Sequence, residues 1–232
     1  MIYAVSDLHG YDYYMFLELL DSVGFGESDY LFVLGDVIDR GEHGIKLLKW
    51  MMTQPNVSLI LGNHEAMMLS CEFLFDDIEE STLGNLNMKN MNLYSTWLSN
   101  GAAPTLSAMK MLHHSERKYI LDYLYDAPKY ETVSAGGRDF ILTHSGLGNF
   151  RKDKKLSEYT DHELIWTRPT VYDEYFHDIK TVFGHTPTFF YGDEYEGRVL
   201  RTDTWINIDT GAGYGYKPTL LRLDDLQTFT LK

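Results

Sequence analysis

Three short apolar runs open the chain, at 2–5, 30–34 and 57–61, each bounded by polar or glycine-containing turns. Runs of this length with turn signals on both sides predict buried strands. Between them, residues 12–21 and 44–52 have the length and apolar content of helices. The resulting β-α-β-α-β alternation predicts a parallel sheet. Each strand runs into a polar residue, Asp7, Asp36 or Asn63, and ligands of parallel sheets gather beyond the carboxyl ends of strands.

From Ala66 to Asp126 the pattern turns mostly helical and predicts an insertion or cap. Ser115 can cap a helix there, but Lys118 stands three residues on where a capping box needs Glu or Gln. Met67, Met68, Met88, Met91, Met109 and Met111 concentrate in this stretch, and adaptable core packing is their expected role. Strand-like runs return at 138–143, 181–183, 205–209, 220–223 and 228–231. The last two flank Asp224-Asp225 and predict a hairpin. No repeat or linker divides the chain, so residues 1–232 are expected to form one domain.

Bulk composition narrows the classes of function. A chain that is 44% hydrophobic and 14% aromatic can bury a sizeable core. A formal net charge of −14 argues against a general nucleic-acid binder, which presents a basic face. Cys71 is the only cysteine, which excludes a disulfide framework and fits a reducing compartment. No apolar run approaches the roughly 18 residues of a spanning helix. A cytoplasmic protein with no membrane partner is the expectation.

Five blocks carry candidate chemistry: Asp7-Leu8-His9-Gly10, the run from Gly35 to Gly41, Gly62-Asn63-His64-Glu65, His144-Ser145-Gly146 and Gly184-His185-Thr186. Asp7 and His9, two apart in an extended segment, share a face. Alone, such a pair is usually a cap and a surface group; four further blocks change that. Asp36 can bridge two cations through its two carboxylate oxygens, and Asn63 offers a neutral carbonyl oxygen. The six donors divide into two sets, Asp7, His9 and Asp36 in one, Asp36, Asn63, His144 and His185 in the other. Hard oxygen and imidazole donors without thiolate suit manganese, iron, zinc or magnesium, with two divalent ions expected and manganese first. His64 is the candidate general acid for a departing alkoxide, oriented by Asp39.

In order and content the blocks resemble the phosphoprotein phosphatase family of metallophosphoesterases, compact bacterial and phage protein phosphatases and the related symmetrical diadenosine tetraphosphate hydrolases included. The resemblance runs from Asp7 to about Thr210. It implies an α/β/β/α sandwich of two mixed sheets with flanking helices, the metal assignments above, and His64 with Asp39 as the acid pair. It also implies that Arg40 and Arg168 grip the phosphate, a role the guanidinium fork suits. Ser6 and Ser145 stand where the family usually has Gly and Ala, and Gly215-Tyr216-Lys217-Pro218 replaces the usual small-residue approach to the final strand.

The implied reaction is in-line attack on phosphorus by a hydroxide bridging two cations. Phosphoserine and phosphothreonine proteins or peptides are the leading substrates, with phosphotyrosine also admitted by a compact site, and relative shortness favours this reading. Symmetrical hydrolysis of a dinucleoside polyphosphate, releasing ADP, is the alternative. A catalytically silent, metal-dependent interaction module is the reading from a different class. His113, His114, His162 and His177 lack partner sets and are expected to be structural or surface groups. His43 is expected in a turn, and Tyr214 and Tyr216 near the last loop are equally suited to packing or to touching a leaving group.

Overall fold

In the computed structural model, which describes residues 1–75 and 87–231, the N-terminal alternation forms β1 (Ile2–Val5), α1 (Tyr13–Ser22), β2 (Tyr30–Val33), α2 (Gly44–Met51) and β3 (Val57–Leu59). The three strands pair in parallel, as their connections through helices require. α1 starts where the Asp12 carboxylate accepts the backbone N–H groups of Tyr14 and Met15, both at 2.9 Å. Alternation along the strands splits the apolar side chains. Tyr3, Val5, Leu31 and Val33 pack with Phe16, Leu19, Leu47 and Leu48 of the helices, while Ala4, Phe32 and Leu34 belong to a second cluster on the opposite face.

The helical stretch comprises α3 (Asn63–Ser70), α4 (Met88–Ser99), α5 (Ala103–Lys110) and α6 (His114–Asp126). α3 begins three residues before the helical pattern does, so Asn63 and His64 occupy its first turn. α6 is capped two residues earlier than Ser115 would place it: Glu116 accepts the backbone N–H of His113, the N-cap, at 3.2 Å. Trp97, Leu106, Met109, Ile120 and Leu124 are buried in the same cluster as α1 and α2, which joins this stretch to the main core. Core packing describes Met67, Met68 and Met109, but Met88, Met91 and Met111 are 75%, 56% and 86% exposed and contribute nothing to it.

The second sheet contains β4 (Tyr130–Ala135), β5 (Arg138–Thr143), β6 (Ile179–Phe183), β7 (Leu200–Arg201) and β8 (Trp205–Asn207), with α7 (Asp161–Ile165) between β5 and β6. Its order is β4-β5-β6-β8-β7, parallel at the centre and antiparallel at both edges. β4 and β7 were not apparent in sequence: β4 mixes Glu, Thr and Ser into an edge position, and β7 is two residues long. β9 (Leu220–Arg222) and β10 (Thr228–Phe229) form the expected hairpin, and β9 joins β1 antiparallel, so the first sheet is mixed as well.

Between the sheets lie Ala4, Phe32, Leu34, Ile60, Phe140, Leu142, Val182, Ile206 and Leu221. Outside the second sheet, Ile141, Phe183 and Trp205 pack with Leu164 and Ile165 of α7. The layers are therefore helix, sheet, sheet, helix, which is the α/β/β/α sandwich the resemblance implied. Its consequence for chemistry is positional: Asp7 follows β1, Asp36 follows β2, Asn63 follows β3, His144 follows β5, His185 follows β6 and Asp209 follows β8. Parallel central strands bring all six turns to one end of the sandwich. No helix among the described residues is long and apolar enough to cross a membrane.

Candidate metal centre

The turns that leave the central strands are strained where they carry the candidate ligands. Among the described residues, non-glycine backbone with positive φ occurs at Asp7, His9, Asp36, Asp39, Arg40 and His185, and otherwise only at Asn149 and Leu226. Such conformations cost on the order of 1–3 kcal/mol each and persist where the surroundings over-determine them. Here they do. Gly10 (φ +65°) and Gly41 pass so closely that a Cβ on either would enter the other's backbone, and a Cβ on Gly184 would stand on the Asp7 carboxylate.

Asn63, His144 and His185 converge on one point. His144 Nε2 lies 2.9 Å from Asn63 Oδ1 and 3.2 Å from His185 Nδ1, which is itself 2.8 Å from Asn63 Oδ1. Asp36 Oδ1 is 3.5 Å from His144 Nε2. The opposite nitrogen of His144, Nδ1, sits 2.7 Å from the carbonyl oxygen of Leu34. A carbonyl only accepts, so Nδ1 carries the hydrogen and Nε2 is the nitrogen turned toward Asn63 and His185. Burial drives the His185 pKa down to about 2, with His144 adding to the effect. Its Nε2 has no hydrogen-bond partner among the described residues.

The neighbouring set is built the same way. His9 Nδ1 faces the Ile38 carbonyl at 3.2 Å, which leaves Nε2 directed at Asp36 Oδ2, 3.6 Å away, and Asp7 Oδ1, 4.0 Å away. Burial lowers the His9 pKa to about 3 against the pull of Asp36. Two trios hold ligand atoms within 4.8 Å of one another: His9, Asp36 and His64, and Asp36, His144 and His185. Asp36 belongs to both. His64 takes the place expected for Asp7 in the tighter first trio, although Asp7 Oδ1 stands beside it, buried and without a hydrogen-bond partner among the described residues.

Charge completes the test of fit. Burial raises the Asp7 carboxyl well above its usual range, with Asp209 and Asp36 pushing the same way. Asp209 is raised to about 7 by burial and by Asp36. For Asp36 burial also pushes upward, but the surrounding imidazoles of His144, His64, His9 and His185 outweigh it and hold the carboxyl low. Buried carboxylates and facing lone pairs are tolerated where a cation supplies the missing positive charge. The donor set, all oxygen and imidazole nitrogen, fits hard or borderline divalent ions.

His64 and Asp39 form the tightest pair, with His64 Nδ1 2.6 Å from Asp39 Oδ2 and both residues buried. The carboxylate fixes Nδ1 as the protonated nitrogen and turns Nε2 toward Asp36 Oδ2, 3.8 Å away, and Arg40, 3.5 Å away. Burial works against the charged ring, but Asp36 and Asp39 outweigh it and raise the His64 pKa. Two residues that sequence reasoning missed hold Asp39 from the helical stretch. Trp97 Nε1 donates to Oδ2 at 2.7 Å and the Thr105 hydroxyl to Oδ1 at 2.7 Å, while the same hydroxyl accepts the Asp39 backbone N–H at 2.9 Å. The Arg40 N–H donates to the Gly101 carbonyl, also in this stretch, at 2.8 Å.

Arg40 and Arg168 both reach a cavity of about 320 Å³ that is also lined by His9, His185, Asp209 and Tyr214. Arg168 is steadied by the Thr186 hydroxyl at 3.0 Å, and Ser145, the departure noted after His144, accepts the Thr167 N–H at 3.0 Å and ties down the turn before it. Glu65, missed as an assigned role although it lies in the third block, accepts from four backbone N–H groups, those of Asp36, Val37, Ile38 and Gly62. Burial, with the Asp36 charge, lifts its carboxyl to about 7, and the Asp36 and Val37 N–H donors oppose the lift. A Glu three residues after a Gly at a helix start was the available signal. Asp209 ends the strand-like run at 205–209 and was given no role by the sequence. His43 caps α2 and accepts the Tyr13 N–H at 2.9 Å, as a turn residue should.

The family model for calcineurin-like phosphoesterases matches residues 1–222. A symmetrical bis(5'-nucleosyl)-tetraphosphatase of Nitrosomonas europaea is 39% identical over 147 residues, covering 62% of this chain and 44% of that protein. A protein of the same name from Chromobacterium violaceum is 25% identical over 193 residues, covering 81% and 57%. The chain spans about half the length of the curated relatives it matches. A crystal structure of a candidate diadenosine tetraphosphatase superposes with a TM-score of 0.64 at 18% identity, over 99% of this chain and 92% of that one. A serine/threonine phosphatase of Saccharomyces cerevisiae gives 0.57 at 14% identity, over 100% and 80%. At such identities the likeness is one of fold.

Proposed function

The chain belongs to the calcineurin-like phosphoesterase family, and from that premise we propose that it hydrolyses the phosphoanhydride of dinucleoside polyphosphates at a two-cation centre. The observation that carries the substrate is the shared name of the sequence relatives. Phosphoprotein, the leading substrate on sequence grounds, moves to second place. The serine/threonine phosphatase neighbour supports it through fold alone, and chain length does not outweigh sequence kinship. The silent-module reading is disfavoured because the acid pair and both arginines meet the candidate ligands in one place.

Asp36 would join both sets, with Asp7 and His9 on one side and Asn63, His144 and His185 on the other. When bound, two divalent ions supply Lewis acidity that eases water deprotonation and neutralises phosphate charge. Arg40 and Arg168 orient the phosphate oxygens and meet charge that grows during displacement. His64, whose charged form Asp36 and Asp39 favour, delivers its Nε2 proton to the leaving oxygen, and Asp39 orients the ring by accepting its Nδ1–H. Positioned acid catalysis of this kind contributes roughly 10²–10⁴-fold.

The test is turnover of manganese-supplemented protein on diadenosine tetraphosphate beside phosphoseryl and phosphotyrosyl peptides. Release of two ADP per dinucleotide, at a higher kcat/KM than phosphate release from either peptide, is expected. Preferential peptide dephosphorylation would restore the phosphatase reading, and no hydrolysis of any substrate would sink both.

A further inference from the structure

We propose that Phe190 and Tyr214 form a stacking subsite for a nucleobase at the mouth of the metal cavity, an inference that rests on the dinucleoside polyphosphate reading. Both rings are exposed, Phe190 by 64% and Tyr214 by 52%, yet both line the cavity that holds His9, His185, Arg40 and Arg168. Exposed aromatic rings in a polar, phosphate-binding cavity call for a planar apolar occupant that arrives with the phosphate. A nucleoside attached to the gripped phosphate meets that requirement, and every base offers a π-face.

The rings are fixed in advance. Phe189 packs beside Phe190 with centroids 4.7 Å apart and edge-on to Tyr214 at 5.4 Å and 85°; Phe190 and Tyr214 stand edge-to-face at 6.3 Å and 89°. Tyr216 closes the cluster against Phe189 at 5.6 Å, and its hydroxyl donates to Glu196 at 2.6 Å. Gly211, at φ +91°, permits this packing, since a Cβ there would come within 3.0 Å of both the Tyr216 and Phe189 rings. The Arg40 guanidinium lies over Tyr214, 4.8 Å from its centroid. The two aromatic turns follow His185 and Asp209 directly, so the distance from rings to candidate ligands is set by the same strand ends. Tyr214, left between packing and leaving-group contact by the sequence, thus receives a substrate role.

Pairwise stacking tolerates any base, so adenine and guanine nucleotides should bind alike. Calorimetric titration of manganese-loaded protein with ADP, GDP and inorganic pyrophosphate tests this. Wild type is expected to bind both nucleotides more tightly than pyrophosphate. Phe190→Leu and Tyr214→Leu should each weaken ADP and GDP roughly tenfold and change pyrophosphate by less than about twofold, whereas Tyr214→Phe should keep nucleotide affinity. Both residues are exposed, and circular dichroism is the check that the variants fold. Equal losses on ADP and pyrophosphate, no loss on ADP, or no preference of wild type for ADP would each overturn the subsite. So would a Phe190→Leu effect seen only with a phosphotyrosyl peptide. Diadenosine tetraphosphate turnover separates this inference from its premise. Wild type that binds ADP selectively without hydrolysing the dinucleotide defeats the hydrolase reading and leaves the subsite standing. Active wild type whose KM is unchanged in the leucine variants defeats the subsite and leaves the hydrolase reading standing.

Discussion

Trp97→Phe removes one of the three side-chain donors that surround the Asp39 carboxylate while keeping an aromatic ring in place. In the native structure Oδ2 receives His64 and Trp97 at 2.6 and 2.7 Å, Oδ1 receives Thr105 at 2.7 Å, and Asp39 is wholly buried. A buried hydrogen bond to a charged group contributes about 1.5–3 kcal/mol, or roughly ten- to a hundredfold in a rate if all of it serves to hold the acid. The indole is remote from phosphate, so its loss should lower kcat and spare KM. An alkyl phosphate, whose alkoxide needs a proton, should lose about tenfold or more, while p-nitrophenyl phosphate, whose phenolate leaves without one, should lose less than about threefold. Because the effect passes through His64, the same substitution in a His64→Asn background should add nothing further, which a double-mutant cycle measures. Equal losses on both leaving groups, or additivity with His64→Asn, would refute a positioning role and leave Trp97 as packing against Phe75 alone.

Four other substitutions or treatments probe the same centre. His64→Asn should depress alkyl phosphate turnover by about 10²–10⁴-fold and aryl phosphate turnover far less, and equal depression would point to a ligand role instead, consistent with its place in the tighter trio. Asp36→Ala, which breaks both trios, should reduce bound manganese from two ions to none by elemental analysis, and retention of one tight ion would show the sets to be independent. Chelation should lower Tm: an ion at a hundredfold excess over its Kd stabilises the folded state by about 2.7 kcal/mol, or roughly 5–10 °C for a chain of this length. An unchanged Tm would mean that the buried lone pairs need no cation. Gly184→Ala, whose new methyl would enter the Asp7 carboxylate, should destabilise the protein and release metal together.

Much of the centre was legible because its residues sit at the ends of strongly apolar strands. β1, β2 and β3 announce themselves by composition, and Asp7, Asp36 and Asn63 follow each in turn. The second sheet was harder: β4 is an edge strand with half its residues polar, and its pairing with β5 is visible only through a register. Glu65 escaped because its partners are backbone N–H groups, which no residue pattern displays. The methionines misled for a related reason, since periodicity in a helical stretch does not say which turn meets the core, and Met88, Met91 and Met111 face outward.

The role of the helical stretch was illegible for a deeper reason, which lies in how strain and its compensation are divided along the chain. Asp7, Asp36, Asp39, His9 and His185 belong to types that enter left-handed backbone with modest penalty, but Arg40, at φ +65°, does not. What retains Arg40 is supplied some sixty residues later. Gly101, itself at φ +103°, accepts the Arg40 N–H, and a Cβ there would press on the Arg40 side chain at 2.8 Å. Trp97 and Thr105, one turn to either side, fasten the adjacent Asp39. The motif from Gly35 to Gly41 therefore states a strained conformation, and the helical stretch states the contacts that keep it. A motif is read locally, so the first half was visible and the second was not. The same division means that the α4–α5 junction is bound to Asp39 and Arg40 through four hydrogen bonds, and any shift of that junction must move both residues with it.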